Sequence, residues 1–231
     1  MRTLLLTVLA GAVLAAPASA ASVDVMVAGK RSVLVPAHQV TLKARSATVN
    51  GRRCALGKAT PLSALAGAGV PFKVRDYGSC SRRARDAGSL YVQRIGADAA
   101  RGRDGWVYKV GNRSGSAGAA DPGGSFGTGR TLRDGDRVLW FWCVKDRRDA
   151  CQRTLATTAH AAAGAVHVIV RGYDEQGRGK AVAGATVTVG GRTATTGASG
   201  TATLPVAAGR HRVEAAKAGL VPAFPRLVTV G

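Results

Sequence analysis

Aromatic side chains are scarce in this 231-residue chain, at 5% of residues, and acidic ones are few: 13 Asp and Glu stand against 33 Lys and Arg, a net charge of +20. With so few rings the cores must rest on Val, Leu and Ala. Such cores are light, and light domains gain from covalent support. The few Asp and Glu are unpaired in sequence, which argues against glycosidase chemistry, where two carboxylates flank one bond. His38, His160, His167 and His211 stand apart, with no His-Glu-x-x-His helix and no Gly-x-Ser-x-Gly elbow. No catalytic residue, metal ligand or cofactor is therefore expected, and the chain reads as a non-enzyme. No stretch reaches the roughly 18 apolar residues of a membrane span, so no transmembrane segment is expected. There is neither a basic tail nor a basic helix, and nucleic acid is not an expected partner.

What is present begins with residues 1–20, which have the form of a signal peptide. Arg2 gives the positive start, Leu4 to Leu14 the short apolar run, and Ala18-Ser19-Ala20 a small-residue cleavage site, so the mature chain is expected to begin at Ala21. The expected location is secreted, extracellular or in the cell envelope. The positive charge has two readings: a solubilising surface, or attraction to acidic wall polymers and other polyanions. Its residues are scattered, with small clusters such as Arg82-Arg83-Ala84-Arg85 and Arg147-Arg148.

The four cysteines, Cys54, Cys80, Cys143 and Cys151, allow three pairings. Spacing favours the local pairs Cys54 with Cys80 and Cys143 with Cys151. No close Cys-x-x-Cys gap and no His beside a Cys supports zinc, and an exported thiol would oxidise.

Strand-like segments come first, at residues 23–27, 33–35, 39–42 and 47–49. Thr60-Pro61 then opens a helix, with Thr60 as N-cap and Pro61 at its first position. Leu62, Leu65 and Ala66 repeat at helical spacing, and Gly67 to Gly69 ends the run. Further strands are expected at residues 72–75, 90–95, 106–110 and 137–143. One main helix on a sheet implies an α+β domain over residues 21–153. Residues 154–164, small and without alternation, read as a linker. Residues 165–231 alternate at 166–170, 186–189, 201–204 and 211–215 between Gly-rich turns, the pattern of a small all-β sandwich.

Specific residues carry two resemblances. Pro61-Leu62-Ser63-Ala64-Leu65, Val70-Pro71-Phe72, the run Gly105-Trp106-Val107-Tyr108-Lys109-Val110-Gly111-Asn112, and Leu132 to Trp140 around Asp134-Gly135-Asp136 occur in this order. The first domain thereby resembles the transcobalamin C-terminal-like domain, a β-grasp family. The resemblance implies a β-grasp fold. It also raises a corrinoid-like small molecule as a ligand, although the helical barrel that holds corrinoid in the vitamin carriers has no counterpart here. Ala183 to Val189, Thr195 to Thr203, Ala208 to His211 and Lys217-Ala218-Gly219-Leu220 make the second domain resemble the carboxypeptidase regulatory-like, transthyretin-like sandwich, whose modules serve as spacers or adhesive units.

Trp140 and Trp142 lie two apart on one strand and share a face, while Leu139, Phe141 and Cys143 share the other. Both faces are apolar, and a helix covers one. The other face packs on a loop or on the second domain, or it forms an aromatic platform for a flat ligand. Trp106 and Tyr108 share a face and join that candidate surface, with Phe126 in the glycine-rich loop 123–130 as a mobile rim. The competing reading is that these rings are core. The glycine-rich loop lacks a Gly-Lys-Ser/Thr ending and a following helix, so it is not read as a phosphate cradle. Asp134-Gly135-Asp136 reads as a turn. The resulting expectation is a binding or interaction protein in contact with acidic cell-wall polymers or a surface protein, with a corrinoid-like ligand on the aromatic face as the alternative.

Overall fold

A computed structural model describes residues 21–231; the expected signal peptide lies outside the described residues. In chain order the first unit contains β1 (Ser22–Ala28), β2 (Val33–Thr41), β3 (Arg45–Val49), β4 (Arg52–Leu56), α1 (Pro61–Gly67), β5 (Phe72–Asp76), β6 (Leu90–Ile95), β7 (Asp98–Ala99), β8 (Gly105–Val110), β9 (Arg113–Ser114) and β10 (Arg137–Cys143). The second contains β11 (Thr154–Ala162), β12 (Ala165–Tyr173), β13 (Gly179–Ala181), β14 (Thr186–Val189), β15 (Arg192–Thr195), β16 (Thr201–Pro205), β17 (Gly209–Ala216) and β18 (Arg226–Val230).

The expected α+β class is not what the chain forms. It is 50% strand and 5% helical, largely all-β with several small sheets. The helix is where the sequence places it but has only seven residues. Its start is well specified: Thr60 Oγ1 accepts from the Ser63 N–H, and the Ser63 hydroxyl receives the Thr60 N–H in return, a capping box ahead of Pro61. Its stop is equally firm, because Gly69 sits at φ +76° directly after the last turn. Two turns cannot cover a five-stranded sheet. The hairpin β3–β4 and the three-stranded β5–β6–β7 sheet complete the core around it.

The main sheet has the order β2-β1-β10-β8-β9, with β1 parallel to β10 and the other pairs antiparallel. Its strands alternate cleanly. Val23, Val25, Val27, Trp106, Tyr108, Val138, Trp140 and Trp142 point into the first unit's core with Leu62 and Leu65 of the helix. Met26, Ala28, Leu139, Phe141 and Cys143 point the other way, onto Val221 and Phe224 of the second unit. Burial of a large apolar side chain stabilises by about 1.5–3 kcal/mol, so this seam joins the units energetically as well as spatially.

The disulfides are Cys54–Cys80 and Cys143–Cys151. The first ties the β3–β4 hairpin to the chain after β5. The second closes the turn between the central strand β10 and the second unit.

The second unit stacks a sheet of β11, β12, β13 and β16 on the sheet β15-β14-β17-β18, around a core of Val and Ala with Leu155 and Leu204. The segment read as a linker is instead a full strand. Residues Thr154 to Ala162 pair with Tyr173 to Ala165 without a break. Its composition hid this, since Ala and Thr alternate little in polarity, yet Thr fits a pleated strand well.

Candidate functional site

The five sequence-nominated aromatics come together, but as core. Trp106 and Trp142 pack edge to face with centroids 5.7 Å apart, and Tyr108 tilts against Trp140 at 5.5 Å. These are the cross-strand partners Trp142↔Trp106 and Trp140↔Tyr108. All four are buried. Three of the four meet main-chain carbonyls: Trp106 Nε1 donates to Asp98 O at 2.8 Å, Trp140 Nε1 to Pro61 O at 3.3 Å, and the Tyr108 hydroxyl to Ala117 O at 2.8 Å. Burial pushes the Tyr108 phenol well above its ordinary pKa, so it stays a hydrogen-bond donor. Phe126 is half-buried, with the Arg113 guanidinium 4.8 Å from its ring centre. The loop around it is closed on itself by Ser125 N–H to Arg130 O and Gly129 N–H to Gly123 O. The carboxylates of the Asp134-Gly135-Asp136 turn are taken up locally, by the Ser22 and Arg133 N–H groups and by Arg130.

The opposite sheet face holds a residue that sequence reasoning passed over. Lys109 is 1% exposed and points from β8 into the second unit. Its ammonium donates to Thr154 Oγ1 at 3.0 Å, Tyr173 O at 3.0 Å and Asp174 O at 2.8 Å. Three donors meet three acceptors, which fully satisfies the group. Burial lowers its pKa to about 8, against the opposing pull of Asp174 and Glu175. Alongside, the Ser114 N–H donates to Glu175 O, and Lys145 pairs with Glu175 at 3.5 Å. A cleft of about 440 Å³ opens at this junction, bordered by Lys30, Trp142 and the Cys143–Cys151 turn. Its cations are engaged: Lys30 Nζ sits 4.0 Å from the centre of a Trp142 ring, and Lys145 holds Glu175.

Two other concavities differ in kind. The outer face of β5–β6 carries Lys73, Arg75, Tyr77, Tyr91 and Gln93, while Val74, Leu90 and Val92 alternate inward. Lys73, Tyr77, Tyr91 and Gln93, with Arg94, Arg101 and the 99–102 turn, line an open groove of about 430 Å³. Tyr77 is 65% and Tyr91 39% exposed, packed edge to face at 6.2 Å, with the Arg75 guanidinium 4.8 Å from the Tyr77 ring centre. Gly105 makes room for this: a Cβ there would stand 2.7 Å from the Tyr91 hydroxyl oxygen. The nearby carboxylates are directed elsewhere. Asp76 receives the Gly78 and Cys80 N–H groups and Arg52, Asp98 the Lys30 N–H, and Asp104 the Lys145 N–H. The second concavity, about 400 Å³, is lined by Arg45, Ser46, Arg53 and Ala55 of the β3–β4 hairpin and by Arg82 from the chain after β5. Among the described residues, none of Lys73, Arg94, Arg101, Arg45, Arg53 and Arg82 makes an ion pair.

The sequence carries a signal for the groove, in the alternation Phe72-Lys73-Val74-Arg75-Asp76-Tyr77. The alternation alone does not reveal a groove, because its other residues come from β6 and the 99–102 turn and meet it only through strand pairing. No family model, curated protein or solved structure matches the chain.

Proposed function

We propose that this protein is an exported, non-enzymatic binding protein that holds acidic polymers of the cell envelope on the cationic surface of its first unit. One observation carries the reading. Two concave sites on the first unit are lined by three cations each, and neither lining includes a carboxylate; a smaller one of about 170 Å³ where the units meet is lined likewise by Arg137, Arg171 and Arg226. Left unpaired, like charges in a concavity repel one another, and an anionic ligand relieves that repulsion. The groups suit binding rather than chemistry, since guanidinium does not give up its proton in a protein and serves as neither base nor nucleophile. Two disulfides fit an oxidising compartment. Burial of Trp106, Tyr108, Trp140 and Trp142 takes the rings nominated for a corrinoid-like ligand out of reach of one.

The test is retention of the full chain on an immobilised polyanion as salt is raised. Binding should weaken steeply with salt. Arg94→Glu with Arg101→Glu should release the protein at lower salt, while Arg192→Glu with Arg210→Glu in the second unit should not. Salt-independent retention, or equal effects of the two pairs, would reject the reading.

A further inference from the structure

Building on that reading, we propose that the Tyr77–Tyr91 groove is a subsite for a chain of acidic sugars, a polyuronate, and is not a general polyanion site. The rings are the first reason. In a chain with so few aromatics, the three Trp, Tyr108 and Phe141 are all spent on core. Tyr77 and Tyr91 are held together on an outer strand face and stay exposed, Tyr77 with the Arg75 guanidinium on one side of its ring. Phosphate polymers have no apolar surface to lay on such rings. A pyranose has one, the face of C–H groups that packs against the electron-rich side of an aromatic ring.

The polar groups match the rest of a uronate. Arg94 and Arg101 offer forked donors of the kind that grip a carboxylate by both oxygens, and Lys73 adds a third cation. The Gln93 amide, with two donors and an acceptor, and the two phenols are suited to sugar hydroxyls. Burial and the neighbouring Tyr77 raise the Tyr91 phenol above its ordinary pKa, so it remains a neutral donor. Spacing agrees as well. Lys73, Arg75 and Tyr77 occupy alternate positions of one strand and its end, so they follow each other at about 7 Å along the face. That sets charge and ring in a row, as a polymer with a carboxylate on every sugar requires.

Single-stranded nucleic acid also combines anionic backbone with flat groups. The ring geometry disfavours it. The two rings are inclined by 61°, so they offer no parallel platforms for successive bases, and Arg75 already lies over one face of Tyr77.

The experiment is calorimetric titration of the full chain with polygalacturonate, with polyphosphate and with oligothymidylate, at one fixed salt concentration. Wild type should bind polygalacturonate about tenfold more tightly than polyphosphate per anionic group. Tyr77→Ala with Tyr91→Ala should abolish that preference and leave polyphosphate binding unchanged. Tyr77→Phe with Tyr91→Phe should keep most of it, which separates ring packing from loss of fold; Gln93→Ala should weaken polygalacturonate alone. Equal binding of polygalacturonate and polyphosphate, insensitive to the tyrosines, overturns the inference and leaves the acidic-polymer reading standing. Binding of none of the polymers removes both. Tightest binding of oligothymidylate, lost with the tyrosines, overturns the inference in favour of a base-stacking groove.

Discussion

The two halves of the molecule solve the problem of a light core differently. Residues 21–153 hold 24 basic and 10 acidic residues, both disulfides and all three Trp; residues 154–231 hold 8 basic and 3 acidic residues, no Cys and no Trp. The second unit is a plain sandwich in which Val187, Val189, Val213 and their neighbours interdigitate. It needs no covalent help, because both of its sheets are continuous and their inner faces cover each other. The first unit assembles a five-stranded sheet, a short helix, a hairpin and a small sheet around four rings. Pieces that small are held by Trp packing and by Cys54–Cys80. The outer faces of the small sheet and of the hairpin are concave, and cations without an ion pair sit there. The difference teaches that concavity, together with net charge, sets the half proposed to bind apart from the other.

The largest expected effect that could break this comparison is in the cores. Trp140→Ala should destabilise the first unit by about 3–5 kcal/mol, whereas Val189→Ala should cost about 2 kcal/mol in the second. Denaturant unfolding followed by circular dichroism measures both, and equal losses would deny the Trp cluster its special weight. Next comes the staple. Replacing Cys54 and Cys80 together by Ser should cost about 3.5 kcal/mol from the 26-residue separation, and the same change at Cys143 and Cys151, eight apart, about 2.6 kcal/mol. The order of the two midpoints is the check.

The third prediction concerns the joint. Lys109 has its pKa lowered from 10.5 to about 8 by burial. Between those values the unfolded chain carries more protons than the folded one, so stability contributed by this group rises as pH increases from about 8 to 10.5. The full rise is about 3 kcal/mol. Lys109→Met should flatten it; an unchanged slope in the variant would mean that the ammonium is not desolvated at the seam. The smallest effect sharpens the functional side. Tyr77→Ala should change stability by less than about 0.5 kcal/mol, since the ring is exposed. A larger loss would make Tyr77 part of the core and remove it from the groove.

Much of this architecture was legible in sequence, for physical reasons that can be named. Val23 to Val27 and Arg137 to Cys143 alternate because one sheet carries two different cores, and the sequence showed both faces to be apolar. Thr60-Pro61 marked the helix start because capping is local chemistry. Cysteine spacing favoured the pairs that form. The α+β class failed because a helix signal gives position but not share of the fold, and α1 stops after seven residues. The linker reading of Thr154 to Ala162 failed because pairing with β12, not polarity, makes that segment a strand. The tryptophans were attractive as a surface only while it was open which apolar face the helix covers; it covers theirs, with Leu62 and Leu65, and the second unit covers the other face with Val221 and Phe224. The groove stayed hidden because its residues come from three separate segments that only the β5–β6–β7 pairing brings together.

The most direct test of a binding half and a supporting half is an amide-resonance map of the labelled full chain titrated with polygalacturonate. Shifts concentrated at residues 73–77, 91–94 and 99–102, with residues 165–231 unmoved, are the expected result. Shifts centred on the second unit, or spread over both in proportion to their charge, would contradict the account.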